Sequence, residues 1–321
     1  MKKAIICGIS GQDAAYLCDF LLKKKYKVIG VTRRVGKKNY YNLNKIGIKS
    51  SRIKIVKTNF KQFTEVNRLL LKFKPDELYY LNGQSLVDLS FKKPSTILIE
   101  DVTSVLNLLE SIKTNNLKTR VFFANSGQIF GNTINKKINE NSKLNPLSPY
   151  AVSKTIQYHI VKQYRELYSI YASNGILFNH ESPLRRTEFV TQKIISFVKL
   201  KKNKLIHQNK KLHLSNINVF RDWGWAAEYV EGMWRILQHK RPDDFIISTG
   251  QENSLKAFIE YAFKKEKMNW KEHVKIKNQY FHKIDLIHNS AKPKKIYKLL
   301  KWKPKSSMKI VINKMLKNNL F

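Results

Sequence analysis

An apolar stretch, Lys3–Cys7, runs without a spacer into the turn Gly8-Ile9-Ser10-Gly11-Gln12-Asp13-Ala14. Beyond it, Tyr16, Leu17, Phe20 and Leu21 recur at helical spacing over residues 12–24. A buried strand, a glycine turn and an amphipathic helix in that order leave few possible folds. The rhythm then repeats. Strands are predicted over Lys27–Thr32 and over residues 53–57, 77–81, 120–124 and 174–178. Helices are predicted over residues 62–73 and 95–113 and from Pro149 onward. Such alternation predicts an α/β chain with a doubly wound parallel sheet.

Past residue 180 the alternation loosens to helices near 188–200, 227–238 and Leu255–Lys265, a strand at 245–248 and a helical tail from Met308. The expectation is a Rossmann-type dinucleotide-binding domain over residues 1–180, to which some later segments return. Residues 181–321 are expected to form mainly a smaller, discontinuous substrate lobe.

Composition excludes several classes. Hydrophobic residues make up 42% of 321, enough for a packed core, so the chain is neither disordered nor fibrous. No apolar run approaches the roughly 18 residues of a membrane helix, and Ser10, Gln12 and Asp13 interrupt the opening apolar segment too early for a signal peptide. The two cysteines, Cys7 and Cys18, lie in apolar surroundings, which suits a reducing, cytoplasmic setting and no membrane. Lys and Arg number 61 against 23 acidic residues, for a formal charge of +38. The excess is mostly Lys, spread along the length and without interleaved stacking aromatics, so no specific nucleic-acid partner is expected. That field would favour an anionic substrate such as a nucleotide sugar; a basic nucleic-acid-binding protein is the alternative from another class.

The glycine turn has a chemical reason. Backbone N–H groups can approach a pyrophosphate only where side chains are missing, and the positive end of the helix dipole adds to the attraction. About 20 residues further on, an acidic side chain would hold the ribose 2′-hydroxyl of NAD. Thr32-Arg33-Arg34 stands there instead, and two guanidiniums suit a 2′-phosphate, so the cofactor expected is NADP. Tyr150 and Lys154 are four apart at the start of a helix and share a face. An ammonium beside a phenol is expected to lower its pKa and let it exchange a proton with a sugar hydroxyl. Ser126, in the small-residue turn Asn125-Ser126-Gly127-Gln128, is a natural second contact to the same oxygen. No metal site is assigned.

The chain resembles the extended short-chain dehydrogenases/reductases (the NAD-dependent epimerase/dehydratase group), and within them the GDP-mannose 4,6-dehydratases. The resemblance rests on the glycine turn, on Tyr-Leu-Asn-Gly-Gln-Ser at 80–85 and on Ser-Pro-Tyr-Ala-Val-Ser-Lys at 148–154. It extends to Asn-Gly-Ile-Leu-Phe-Asn-His-Glu-Ser-Pro at 174–183, Phe-Val-Thr-Gln-Lys-Ile at 189–194 and Arg-Asp-Trp-Gly at 221–224. It implies a lyase of cell-surface sugar synthesis that oxidises a GDP-sugar at C4, loses water across C5/C6 and returns the hydride to C6. By the same resemblance, Gly8, Ser10, Gly11, Gln12 and Asp13 would line the cofactor pyrophosphate and Arg33 and Arg34 the 2′-phosphate. Asn59 and Phe60 would lie near the adenine. Leu81, Asn82, Gly83, Gln84 and Ser85 would flank the cofactor's middle, and Tyr150, Lys154, His180 and Arg185 would complete its pocket. Asn179, Lys193 and Arg221 would face the GDP-sugar. Ser126, Gln128, Tyr150 and Lys154 fall at the catalytic positions, and a homodimer or homotetramer is implied.

Three departures stand out. Asn59 occupies the place of an aspartate, His282 that of an arginine, and Gln128 that of the glutamate that removes the C5 proton. An amide is no useful base, which keeps open a 4-epimerase, a 4-reductase or a cofactor-binding homologue with weakened dehydration.

Overall fold

The computed structural model describes residues 1–83, 87–134, 138–277 and 286–321. The expected strands form a seven-stranded sheet: β1 (Lys3–Cys7), β2 (Lys27–Thr32), β3 (Lys54–Lys57), β4 (Glu77–Tyr80), β5 (Arg120–Ser126) and β6 (Ala172–Leu177), with a late strand added beyond β6. Every pairing in it is parallel, in the order β3-β2-β1-β4-β5-β6 followed by Phe245–Ile247. The chain runs outward in opposite directions from β1 and β4, so a crevice opens beyond their C-terminal ends. Gly8 and Leu81 leave those ends side by side, and Ser126 closes β5 next door.

Both faces of this sheet are covered, which is why its strands read as near-continuous apolar runs. On one face lie α1 (Gln12–Lys23), the short α2 (Tyr41–Lys45) and a later helix, Ala226–Gln238, with Leu17, Leu21, Leu43, Val230 and Met233 in the core. On the other face α3 (Phe63–Phe73), α5 (Pro94–Thr114) and α6 (Pro149–Tyr168) bring in Val66, Leu70, Leu108, Ile112 and Val161. The short α4 (Val87–Lys92) precedes α5. Pro94 and Pro149 sit in the first turns of α5 and α6, where a missing N–H costs nothing.

The lobe is built around α7 (Val190–Lys202) and α9 (Leu255–Lys265), while α8 (Ala226–Gln238) is the helix already placed on the sheet. Its own core joins Ile194, Val198, Trp223, Phe258, Val311 and Ile312. Short ribbons complete it: β7 (His180–Glu181) pairs with β10 (Gly224–Trp225), and β8 (Leu212–Leu214) pairs with β13 (Val274–Ile276). Between β12 (Glu252–Ser254) and β14 (His288–Asn289) lies β9 (Phe220–Asp222). The late strand of the main sheet is β11 (Phe245–Ile247). None of the short ribbons was expected, because strands of two or three residues carry no readable alternation. The expected strand at 174–178 begins two residues earlier, at Ala172, and that at 120–124 continues to Ser126.

One ion pair fastens the sheet edge. Arg165 of α6 grips Asp244, just before β11, with two contacts of 2.8 Å, and Asn174 of β6 donates to the same carboxylate at 2.9 Å.

Candidate functional site

Gly8 adopts φ +79°, and a Cβ there would stand 3.0 Å from Asn82 Oδ1 and 3.2 Å from the Leu81 carbonyl oxygen. Any side chain would wedge the first turn away from the strand beside it. The Gly11 N–H donates to the Gly8 carbonyl at 2.9 Å, and Gly11 is the N-cap of α1. Ser10 is exposed and its carbonyl is held by Asn42 at 2.9 Å. Gln12 and Asp13 contribute backbone to this turn, but their side chains point into the lobe. The Gln12 amide donates to the His180 carbonyl at 3.2 Å and accepts from the Ser182 hydroxyl at 2.8 Å. Asp13 Oδ2 lies 2.9 Å from His180 Nε2.

Across the crevice, Gly83 has φ +139°, and a Cβ on it would come within 3.2 Å of Lys154 Nζ. The approach of that backbone to the ammonium therefore requires glycine. Gln84, Ser85 and His282 lie outside the described residues. With Gly8 and Gly83 leaving space at two strand ends and the N-terminus of α1 between, the residues present fit a dinucleotide.

At the end of β2, Arg33 and Arg34 are both exposed. Arg33 reaches Glu100 of α5 at 3.4 Å, and Lys61 reaches the same carboxylate at 2.8 Å. Lys61 and Glu100 went unnoticed in the sequence, because only the fold brings residues 33, 61 and 100 together. Asn59 accepts from the Lys61 N–H at 3.2 Å and is partly buried. Phe60 belongs to the core, packed edge-on against Tyr80.

The catalytic candidates converge at the β5–α6 junction. Ser148 caps α6 by accepting from the Ala151 N–H at 3.1 Å, which sets Tyr150 in the first turn and Lys154 one turn on. Burial pushes the Tyr150 phenol above its ordinary pKa; the Ser126 hydroxyl bonded to it pulls down, Asp101 adds to the rise and Arg185 opposes it. Lys154 is buried and its pKa falls for that reason, against the opposing pull of Asp101. The expectation that Lys154 lowers the Tyr150 pKa is thus not met. The ammonium instead donates to the Ala124 carbonyl at 3.0 Å and to Gln157 at 3.1 Å. Asp101, which acts on both groups, accepts from Ser153 at 2.8 Å and was also missed; an aspartate inside a helix gives no sequence signal. Gln128 is half-buried, its N–H donating to Ser126 Oγ at 3.3 Å.

The lobe side supplies the rest. The Asn179 carbonyl accepts from the Gly224 N–H at 2.8 Å, extending the β7–β10 pairing by one residue. Arg221 in β9 donates to the carbonyls of Phe220 at 2.8 Å and Ile287 at 3.1 Å. Lys193 is exposed in the first turn of α7. Arg185 lies over the Phe189 ring at 3.6 Å, with its Nε 3.3 Å from buried Glu181.

Comparison with known proteins decides the family. The sequence model described as GDP-mannose 4,6 dehydratase matches residues 5–315. The chain belongs to the GDP-mannose 4,6-dehydratase family. GDP-mannose 4,6 dehydratase 1 of Arabidopsis thaliana is 37% identical over 328 residues, covering 99% of this chain and 90% of that protein. The GDP-mannose 4,6-dehydratase of Vibrio cholerae is 38% identical over 269 residues, 82% of this chain and 72% of that one. Family membership makes the chain a lyase of the hydro-lyase type. Two solved structures share its fold at 19% identity. DesIV, a dTDP-glucose 4,6-dehydratase from Streptomyces venezuelae with NAD and TYD bound, has a TM-score of 0.85 and covers 99% of this chain and 97% of its own. RMD from Pseudomonas aeruginosa, complexed with NADPH, has a TM-score of 0.81 and covers 99% of each chain.

Proposed function

We propose that the chain is a GDP-sugar 4,6-dehydratase, acting on GDP-mannose or a close relative with bound NADP, in cell-surface sugar synthesis. The observation that carries this reading is the convergence of Ser126, Tyr150 and Lys154 in a chain matched by the family over residues 5–315. The nicotinamide, when bound, accepts and gives back the two electrons of the sugar's transient oxidation. Tyr150 takes the proton of the C4 hydroxyl, and Ser126 shares that oxygen. Lys154, held by Ala124 and Gln157, brings positive charge to the cofactor side of the crevice. Arg33 and Arg34, with Lys61 beside them, favour the 2′-phosphate of NADP over NAD. Asn179, Lys193 and Arg221 face the GDP-sugar.

Residues 1–180 with α8 and β11 form the dinucleotide half, and the remainder of 181–321 forms the sugar half. Exposed Leu89, Phe91, Ile99 and Ile156 on α4, α5 and α6 support a homodimer or homotetramer. No described helix is long and apolar enough to cross a membrane; with Cys7 and Cys18 both buried thiols, a cytoplasmic enzyme is the reading we adopt.

Gln128 favours a second reading. At the position where the resemblance implies a glutamate base, its amide cannot take the C5 proton. A 4-epimerase or 4-reductase needs only Tyr150, Lys154, Ser126 and the nicotinamide. Mass spectrometry of reactions with GDP-, UDP-, CDP- and dTDP-sugars separates the readings: loss of one water from a GDP-sugar supports dehydration, while an isomer of unchanged mass supports epimerisation.

A further inference from the structure

His180 faces acceptors on both sides of its ring. Nδ1 stands 2.7 Å from the Phe178 carbonyl oxygen and Nε2 stands 2.9 Å from Asp13 Oδ2. A neutral imidazole carries a single N–H, so it would turn a lone pair on one of these oxygens. Only the imidazolium donates to both. The ring is buried and stacks on Tyr229 of α8, with centroids 4.5 Å apart and 26° between planes, a face that suits a cation.

The surroundings agree. Burial works against a charged His180, but the charge and hydrogen bond of Asp13 outweigh it and hold the ring above its ordinary pKa. For Asp13, burial works against the carboxylate, and His180, Gln12 and Arg185 together outweigh it and hold the carboxyl low. The charged or titratable groups facing the pair are Arg185 and Glu181 from the segment after β6, Tyr16 from α1 and Tyr229 from α8. Arg185 opposes the imidazolium and has Glu181 as its own partner.

Asp13 lies in the first turn of α1, the end that would receive a cofactor diphosphate. An uncompensated carboxylate there would repel that diphosphate and offset the helix dipole. We infer that Asp13 and His180 form a charge-neutral clamp: the imidazolium of His180 cancels the carboxylate under the glycine turn, keeping that turn receptive to a dinucleotide and tying it to β7. His180 is on this view a positioning residue that need not touch the cofactor. The electrostatic half of the inference rests on the dinucleotide reading above; the protonation state does not.

Two experiments test it. In 15N-histidine-labelled protein without cofactor, the signal lost in His180→Gln should show both ring nitrogens protonated at pH 7 and well above. A single-N–H pattern at pH 7 would overturn the clamp. NADPH affinity, read by fluorescence, should fall about tenfold or more in His180→Gln, where Asp13 is left unpaired. The double variant Asp13→Asn/His180→Gln should return to within about threefold of wild type, because no net charge remains under the turn. If the double variant binds as weakly as His180→Gln, His180 acts by touching the cofactor and the electrostatic inference fails. Wild-type protein that binds no NADPH would overturn the dinucleotide reading and that same half of the inference, while the nitrogen signals still decide the ion pair.

Discussion

Lys154 Nζ donates to the Ala124 carbonyl oxygen at 3.0 Å, at the end of the strand that also carries Ser126. An ammonium has three donors, so contacts with Ala124 and Gln157 can persist while the third serves the crevice. The geometry fixes the lysine first and leaves the phenol of Tyr150, raised by burial, to be tuned by what enters.

Tyr150→Phe keeps the ring and removes the proton-exchanging hydroxyl. Turnover should drop by roughly 10²-fold or more if this is the general acid–base group. Melting temperature and NADPH affinity should change little. Full activity in this variant would remove Tyr150 from the chemistry.

Replacing Arg33 and Arg34 together by alanine should weaken NADP binding far more than NAD binding, since only NADP presents a 2′-phosphate. Titration with both nucleotides measures this. Equal losses would mean that the arginines serve stability, with Arg33 acting through Glu100.

Gly83→Ala tests the close approach to Lys154. At φ +139°, with the new Cβ 3.2 Å from Nζ, the strain should cost about 1 kcal/mol. The methyl displaces the ammonium, so turnover should fall more than stability does. A thermal melt beside a rate assay separates the two, and unchanged turnover would contradict the packing described.

Asp244 is held below its ordinary carboxyl pKa: burial pushes it up, but Arg165 and Asn174 outweigh that. Its contribution is fully present above the unfolded value near ~4 and is lost as pH falls through the lowered folded value. Denaturation midpoints should therefore decline in that acid range. Asp244→Ala leaves a guanidinium only 11% exposed without its partner, at a cost of roughly 3–5 kcal/mol. The variant should also lose most of the acid dependence, and unaltered acid dependence would argue against the pair.

The sheet was legible in the sequence because most of its first six strands bury apolar residues, edge strand β3 only in part, and each is followed by a turn or helix with its own signal. Gly8, Tyr150 and Lys154 were legible for a related reason: the signals that mark them, a glycine turn and a four-residue helical spacing, lie within a few residues of each other. Lys61, Glu100 and Asp101 were not, since their partners come from other crossovers of the sheet. The same holds for the lobe's ribbons, whose strands of two or three residues pair across dozens of positions, as Phe220 does with His288. Gln12 and Asp13 fell between these cases. Their place in the glycine turn was evident, while the attachment of their side chains to His180 and Ser182 was not.

Gln128 carries the most direct test. Wild-type protein and Gln128→Glu should be incubated with GDP-mannose and NADP, and product formation followed by mass spectrometry. A family dehydratase with intact Ser126, Tyr150 and Lys154 should yield a product lighter by one water from both proteins, slowly from wild type. Restoring a carboxylate should speed it by about 10² to 10⁴-fold, the usual worth of a general base. Failure of both proteins to release the dehydrated sugar nucleotide, or a product of unchanged mass from both, would contradict the account.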